Sequence, residues 1–172
     1  MVFAREKMTL EDICFYSEPG TVELKYVGPG VDKLYEKCAE LLKTVWNVPH
    51  SQIQEVQTSW GKTKDSEKTQ CTWWVFKDMD IFSYFMIRIN FKAEGNAESG
   101  KSSLNIKGYL RTEYPQDTIW QRSILYEMIR TFWHRVFYRR KREEYAEECR
   151  HSIIYFEKLV KEFFDVLKKG GE

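Results

Sequence analysis

The stretch Phe82-Ser83-Tyr84-Phe85-Met86-Ile87-Arg88-Ile89-Asn90-Phe91-Lys92-Ala93 alternates with a period of two. Phe85, Ile87, Ile89 and Phe91 fall on one face, and Tyr84, Met86, Arg88, Asn90 and Lys92 on the other. A helix would turn Ile87 roughly 200° away from Phe85 and scatter the apolar set; a strand packed on one side keeps it together. The same pattern recurs on both sides of this stretch. Gln70 to Lys77 sets Cys71, Trp73 and Val75 against Thr72, Trp74 and Phe76. Ser103 to Thr112 sets Leu104, Ile106 and Leu110 against Asn105, Lys107, Tyr109 and Arg111. Glu94 to Lys101, rich in Gly, Asn and Ser, reads as the hairpin loop that joins the last two strands. Gln54 to Lys64 gives a weaker strand, and Thr21 to Val27 another, with Val22, Leu24 and Tyr26 opposed to Glu23 and Lys25. The expectation is a mostly antiparallel sheet of about 4–5 strands, packed on one face.

Helical spacing frames the sheet. Val31, Leu34, Tyr35, Cys38, Leu41, Leu42, Val45 and Trp46 form one face of an amphipathic helix, which Asn47 and Pro49 end. Further upstream, Thr9-Leu10-Glu11-Asp12 carries a capping hydroxyl and first-turn acids, which predicts a short N-terminal helix stopped by Ser17-Glu18-Pro19-Gly20. Between Pro115 and Gly170 there is neither glycine nor proline, so 116–169 reads as a long helical region. Its apolar stripe begins at Leu125, Ile129, Phe132 and Val136 and resumes at Ala146, Cys149, Ile153, Phe156, Val160, Phe163 and Leu167. One straight helix of that length would be roughly 80 Å long, twice the ~40 Å diameter of a compact domain of this size. The region must therefore bend or fold back near Arg139 to Glu144, or project and pack on a second copy. The chain is expected to be a single α+β domain over 1–172, with the short N-terminal helix, strand, helix and sheet in 1–115 and the helical region in 116–169. This order is loosely similar to the helix-grip topology, an analogy of architecture that carries no function.

Composition bounds the class. Among 172 residues, 42% are hydrophobic and 16% aromatic, which excludes a disordered or low-complexity chain. Lys plus Arg (27) balances Asp plus Glu (26), so any polyanion-binding signal must be local. The four cysteines show no CxxC and no zinc-type spacing, and Cys38 and Cys149 lie on apolar stripes. Reduced structural thiols in the cytoplasm are the expectation. Met1 to Lys7 is too charged for a secretory leader, and the longest apolar run, Ile81 to Ile87, contains Ser83. No membrane segment is expected.

Two constellations bear on chemistry. Gly95-Asn96-Ala97-Glu98-Ser99-Gly100-Lys101-Ser102 spells GxxxxGKS, so Gly95, Gly100, Lys101 and Ser102 are candidate phosphate-loop residues. Such a loop runs from a strand into a helix, whereas the residues after Lys101 keep strand alternation. A glycine-rich hairpin is the favoured reading. The second constellation is a sheet face combining Tyr84, Arg88 and Lys92 with Lys107, Tyr109 and Arg111, cations and tyrosines of the kind that bind single strands or other anions. The basic run Arg135 to Arg142 is largely cancelled by i,i+4 glutamates, and Glu148-Cys149-Arg150-His151 is a lone Glu-x-x-His. No catalytic residue, cofactor or metal is expected. The sequence reads as a non-enzymatic binding or assembly module. It would form a homodimer through Ala146 to Leu167 and offer its sheet face or a small pocket to a weakly held polyanion or small ligand. The alternatives are a nucleotide-binding protein using residues 95–102 and a small enzyme with an unidentified pocket.

Overall fold

A computed structural model of the chain describes residues 9–15, 20–62, 66–96 and 98–169. The Met1 to Lys7 segment and the Ser17-Glu18-Pro19 stop lie outside the described residues. The elements follow in the order β1 (Thr9–Ile13), β2 (Val22–Gly28), α1 (Lys33–Trp46), β3 (Ile53–Lys62), β4 (Glu67–Asp78), β5 (Ser83–Gly95), β6 (Gly100–Glu113), α2 (Ile124–Trp133), a π-type turn (His134–Tyr138) and α3 (Arg139–Lys169). The class is α+β, with six strands rather than four or five.

The four strands β3 to β6 form an antiparallel meander, and β1 and β2 both pair with β6 along its free edge. β5 is central: Ile87 faces Val75 on β4 and Gly108 on β6. Through the middle of the three long strands the inward residues of the alternation are buried, including Trp73, Val75, Phe85, Ile87, Ile89, Phe91, Leu104 and Ile106. The alternation read from the sequence therefore separates core from solvent. Across this inner face lie α1, through Leu34, Cys38, Leu42 and Trp46, and α3, through Ala146, Cys149, Ile153, Phe156, Val160 and Phe164. Trp46 meets Phe156 with ring centroids 5.2 Å apart, and Tyr26 stacks on Phe164 at 4.8 Å.

Two expectations need correction. Thr9 to Asp12 is not a helix but part of the strand β1, in register with Glu113 to Leu110. Its cap-like residues are a local signal, and the unpaired edge of β6 overrides it by offering ladder hydrogen bonds. Second, Cys14 and Cys149 are joined in a disulfide with Cα atoms 5.9 Å apart, and only Cys38 and Cys71 are free thiols, both buried. Of the courses open to the helical region, it does not fold back: α2, the π-type turn and α3 follow one another without a break, with helical dihedrals at His134 and Arg139. Forty-six helical residues reach about 70 Å, so the first part projects from the sheet as an arm.

That arm reverses the expected burial. Phe156 and Val160, expected at the contact between two copies, are closed off by the chain's own sheet and α1, with Phe163 and Leu167 packed at the edge of the same core. Leu125, Ile129, Phe132 and Val136 are the exposed ones. Among the described residues no helix is long and apolar enough to cross a membrane.

Candidate functional site

The solvent face of the sheet gathers the charged and aromatic residues that alternate with the core. The antiparallel register puts Arg88 opposite Lys107, Tyr84 opposite Arg111 and Met86 opposite Tyr109. It also sets Trp74 beside Arg88 and Phe76 beside Met86. Trp74, Phe76 and Tyr84 form a row with centroid spacings of 6.4 and 6.3 Å. All six residues expected on this face, Tyr84, Arg88, Lys92, Lys107, Tyr109 and Arg111, do project from it, because they alternate with buried neighbours on β5 and β6.

Their electrostatic states differ. The Arg111 guanidinium donates to Glu11 on β1, which holds its pKa above the ordinary arginine value, and so it is already neutralised. The Tyr84 hydroxyl donates to Glu113 at 2.8 Å. Burial, then this carboxylate, push the Tyr84 pKa up, so it is a neutral donor and stacking surface. Arg88 and Lys107 have no ion pair among the described residues and lie directly across the ladder from each other. Like charges so placed repel, a cost that a bound anion would turn into a gain.

Toward the β5–β6 hairpin the same face hollows into a depression of about 640 Å³ whose wall includes Lys25, Lys68, Lys92 and Lys101. Lys68 and Lys101 share Glu94, at 2.7 and 3.5 Å, and Lys25 pairs with Glu23 at 3.1 Å. Lys92 has no such partner among the described residues. The face thus grades from aromatic, through Arg88 and Lys107, to a lysine-lined hollow. Lys25 and Lys68 were not visible from the sequence as site residues, since only the sheet order brings β2 and β4 to this place. Trp74 was visible in the alternation of β4 and was not singled out.

The GxxxxGKS stretch is a β-hairpin. Gly95 adopts φ +154 and faces Gly100, and Asn96 Oδ1 accepts the N–H groups of Glu98 and Ser99 at 3.1 and 2.8 Å. The amides that a phosphate would need are spent on the turn itself. Lys101 lies on β6, and Ser102 is buried. Inside the fold, the space near Tyr35, Trp60 and Phe91 amounts to about 40 Å³, room for no more than a water or two. Cys71 is buried on β4, and burial, then its contact with Glu55, push its thiol up to about 12. Such a thiol is no nucleophile at neutral pH. Glu148, from the lone Glu-x-x-His, pairs with Lys77 at 3.0 Å. No protein family matches the chain, and no curated protein matches it.

Proposed function

We propose that this chain is a non-enzymatic binding and assembly module that takes a polyanion on the outer face of its sheet, with single-stranded nucleic acid as the fitting class. The observation that carries this reading is the Arg88–Lys107 pair, two cations opposed across one ladder with no carboxylate between them. Trp74, Tyr84 and Tyr109 beside them supply faces for bases to stack on, and Lys92 extends the charge toward the hollow. Affinity is weak, because Arg111, Lys68 and Lys101 are neutralised by glutamates.

The test is fluorescence anisotropy with labelled oligo-dT and oligo-U at low and physiological salt. Binding at low salt that falls linearly on a log–log plot, with a slope of about −0.7 per phosphate contacted, supports the reading. Arg88→Glu with Lys107→Glu should abolish it. Absence of binding even at low salt overturns it. A cytoplasmic setting suits such a ligand. The Cys14–Cys149 bridge is compatible with it, since both sulfurs are buried away from soluble reductants. The assembly half of the reading is a homodimer. Its interface moves from Ala146–Leu167, which is occupied within the chain, to the arm.

A further inference from the structure

The arm carries its amphipathicity inside out. Arg130, only 4% exposed, lies beneath Glu127 with its guanidinium carbon 5.5 Å from the Tyr114 ring centroid. His134 Nδ1 meets the Tyr114 hydroxyl at 2.7 Å, and the Tyr138 hydroxyl meets Asp80 at 2.9 Å. The side facing the chain's own body is therefore polar. The side facing water holds Ile124, Leu125, Met128, Ile129, Phe132, Trp133, Val136 and Phe137, with Met128 at 65% and Phe132 at 62% exposure. Ile119 and Trp120 extend the patch upstream. A contiguous apolar surface of this extent on a soluble fold marks a contact face.

We propose that a second copy of this chain covers the arm, by antiparallel two-fold pairing of residues 119–137; this rests on the assembly half of the reading above. Self-complementarity is the first argument. Between residues 124 and 133 the exposed aliphatic Ile124, Leu125, Met128 and Ile129 precede the exposed aromatic Phe132 and Trp133. A two-fold axis between Met128 and Ile129 sets Leu125 of each copy against Phe132 of the other, Ile124 against Trp133, and Trp120 against Phe137. Aliphatic meets aromatic at the two inner pairs, aromatic meets aromatic at the outer one, and the interface closes on itself. A parallel pairing would oppose Phe132 to Phe132 and Trp133 to Trp133 and lose the match of aliphatic with aromatic.

Area is the second argument. Half-exposed side chains of this size offer about 100 Å² each. A pairing that covers most of the ten removes roughly 1,500–2,000 Å² from water, the standard size of a stable protein interface. A lipid surface is the rival occupant and fits less well. Of the exposed arginines in the Arg135 to Arg142 run that would meet anionic headgroups, Arg139 is matched with Glu143 at 3.1 Å and Arg140 with Glu144 at 3.4 Å, which leaves Arg135 as a single cation of that run beside ten apolar side chains.

Sedimentation equilibrium of the full chain should show a species of twice 20.7 kDa at micromolar concentration. Leu125→Glu with Phe132→Glu should raise the dissociation constant at least about a hundredfold while thermal unfolding of the body is retained, because both side chains are more than half exposed on the arm. To place the contact, Met128→Cys should oxidise to a covalent dimer, whereas Val166→Cys, exposed on α3, should not. The native thiols do not interfere, being buried or bridged. A 20.7 kDa species at every concentration, a dimer indifferent to the double substitution, or a monomer that cosediments with phosphatidylglycerol vesicles overturns the proposal. Oligonucleotide anisotropy on the double variant separates this from the sheet-face reading: binding retained by the monomer leaves the sheet-face reading standing whichever way the pairing falls.

Discussion

The Tyr138 hydroxyl lies 2.7 Å from Ser83 Oγ and 2.9 Å from Asp80 Oδ2, joining the root of the helical arm to the loop between β4 and β5. Asp80 is the hub of that junction. Its carboxylate also accepts the N–H groups of Phe82 and Ser83, each at 2.8 Å, the Tyr145 hydroxyl at 3.1 Å and the Lys141 ammonium at 3.3 Å. Burial alone would raise the Asp80 pKa, but these hydrogen bonds outweigh it and hold it below the usual aspartate value. The arm is thus fixed in direction at its base although almost nothing covers its outer side.

Tyr138→Phe removes the hydroxyl and leaves Ser83 and Asp80 short of a buried partner. The expected cost is about 1–3 kcal/mol, read as a lower urea midpoint with an unchanged slope. A midpoint within error of the parent would mean that the junction contributes nothing.

Acid should weaken the same junction at His134. Burial first, then the Arg142 charge, hold its pKa below the ordinary histidine value, against a smaller upward pull from Asp12. The unfolded chain then binds more protons than the folded one just below pH 6.5, so stability is complete above that value and declines as the pH falls toward the folded pKa. Denaturation midpoints measured from pH 8 to pH 5 should fall for the parent and fall less for His134→Asn. Equal slopes for the two would exclude His134 as the source. Asp80 adds a second loss at lower pH, below its unfolded value and through its depressed folded one.

Gly108 sets how closely α3 approaches the sheet. A Cβ there would lie 2.4 Å from Ile153 Cδ1, 3.1 Å from Cys149 Sγ and 3.2 Å from Cys14 Sγ. Ile153 can swing away; the bridged sulfurs on both sides cannot. Gly108→Ala should therefore destabilise by about 1–3 kcal/mol, and Gly108→Val by more. A thermal midpoint equal to the parent's for the alanine variant would show that α3 lifts freely from β6.

How far the fold was readable follows from the range of each signal. Phe85, Ile87, Ile89 and Phe91 report their strand because one buried face imposes a period of two on neighbouring residues. Thr9 to Ile13 has no such pattern, since four of its five residues are exposed. It is a strand only because Tyr109 to Glu113 lies beside it, about a hundred residues away. Periodicity also names a face without naming its cover: Leu125 and Phe156 belong to equally regular stripes, yet one faces water and the other the core. The cation face was legible as two alternating strands, and Arg88 met Lys107 once those strands paired. The hollow was not legible, because Lys25 and Lys68 reach it from strands whose place in the sheet no local pattern encodes.

The pairing of Cys14 with Cys149 is the long-range feature most open to direct measurement. The bridge links the end of β1 to α3 across a sequence separation of 135, and Arg150 adds a hydrogen bond to the Cys14 carbonyl at 3.2 Å. A crosslink spanning that much chain restricts the unfolded state strongly; the entropy ceiling is about 5 kcal/mol, and native bridges commonly contribute about 2–4 kcal/mol. Cys38 is free and buried, and burial pushes its thiol up to about 12, so neither it nor Cys71 should react while the protein is folded. Alkylation followed by intact mass measurement should give no label on the native protein, two labels after denaturation without reductant, and four after denaturation with reductant. Cys14→Ser with Cys149→Ser should lower the urea midpoint by the equivalent of about 2–4 kcal/mol. Four labels on denatured, unreduced protein would mean that the bridge does not form, and the β1–α3 contact would then rest on packing, the Arg142–Asp12 pair and the Arg150 hydrogen bond to the Cys14 carbonyl.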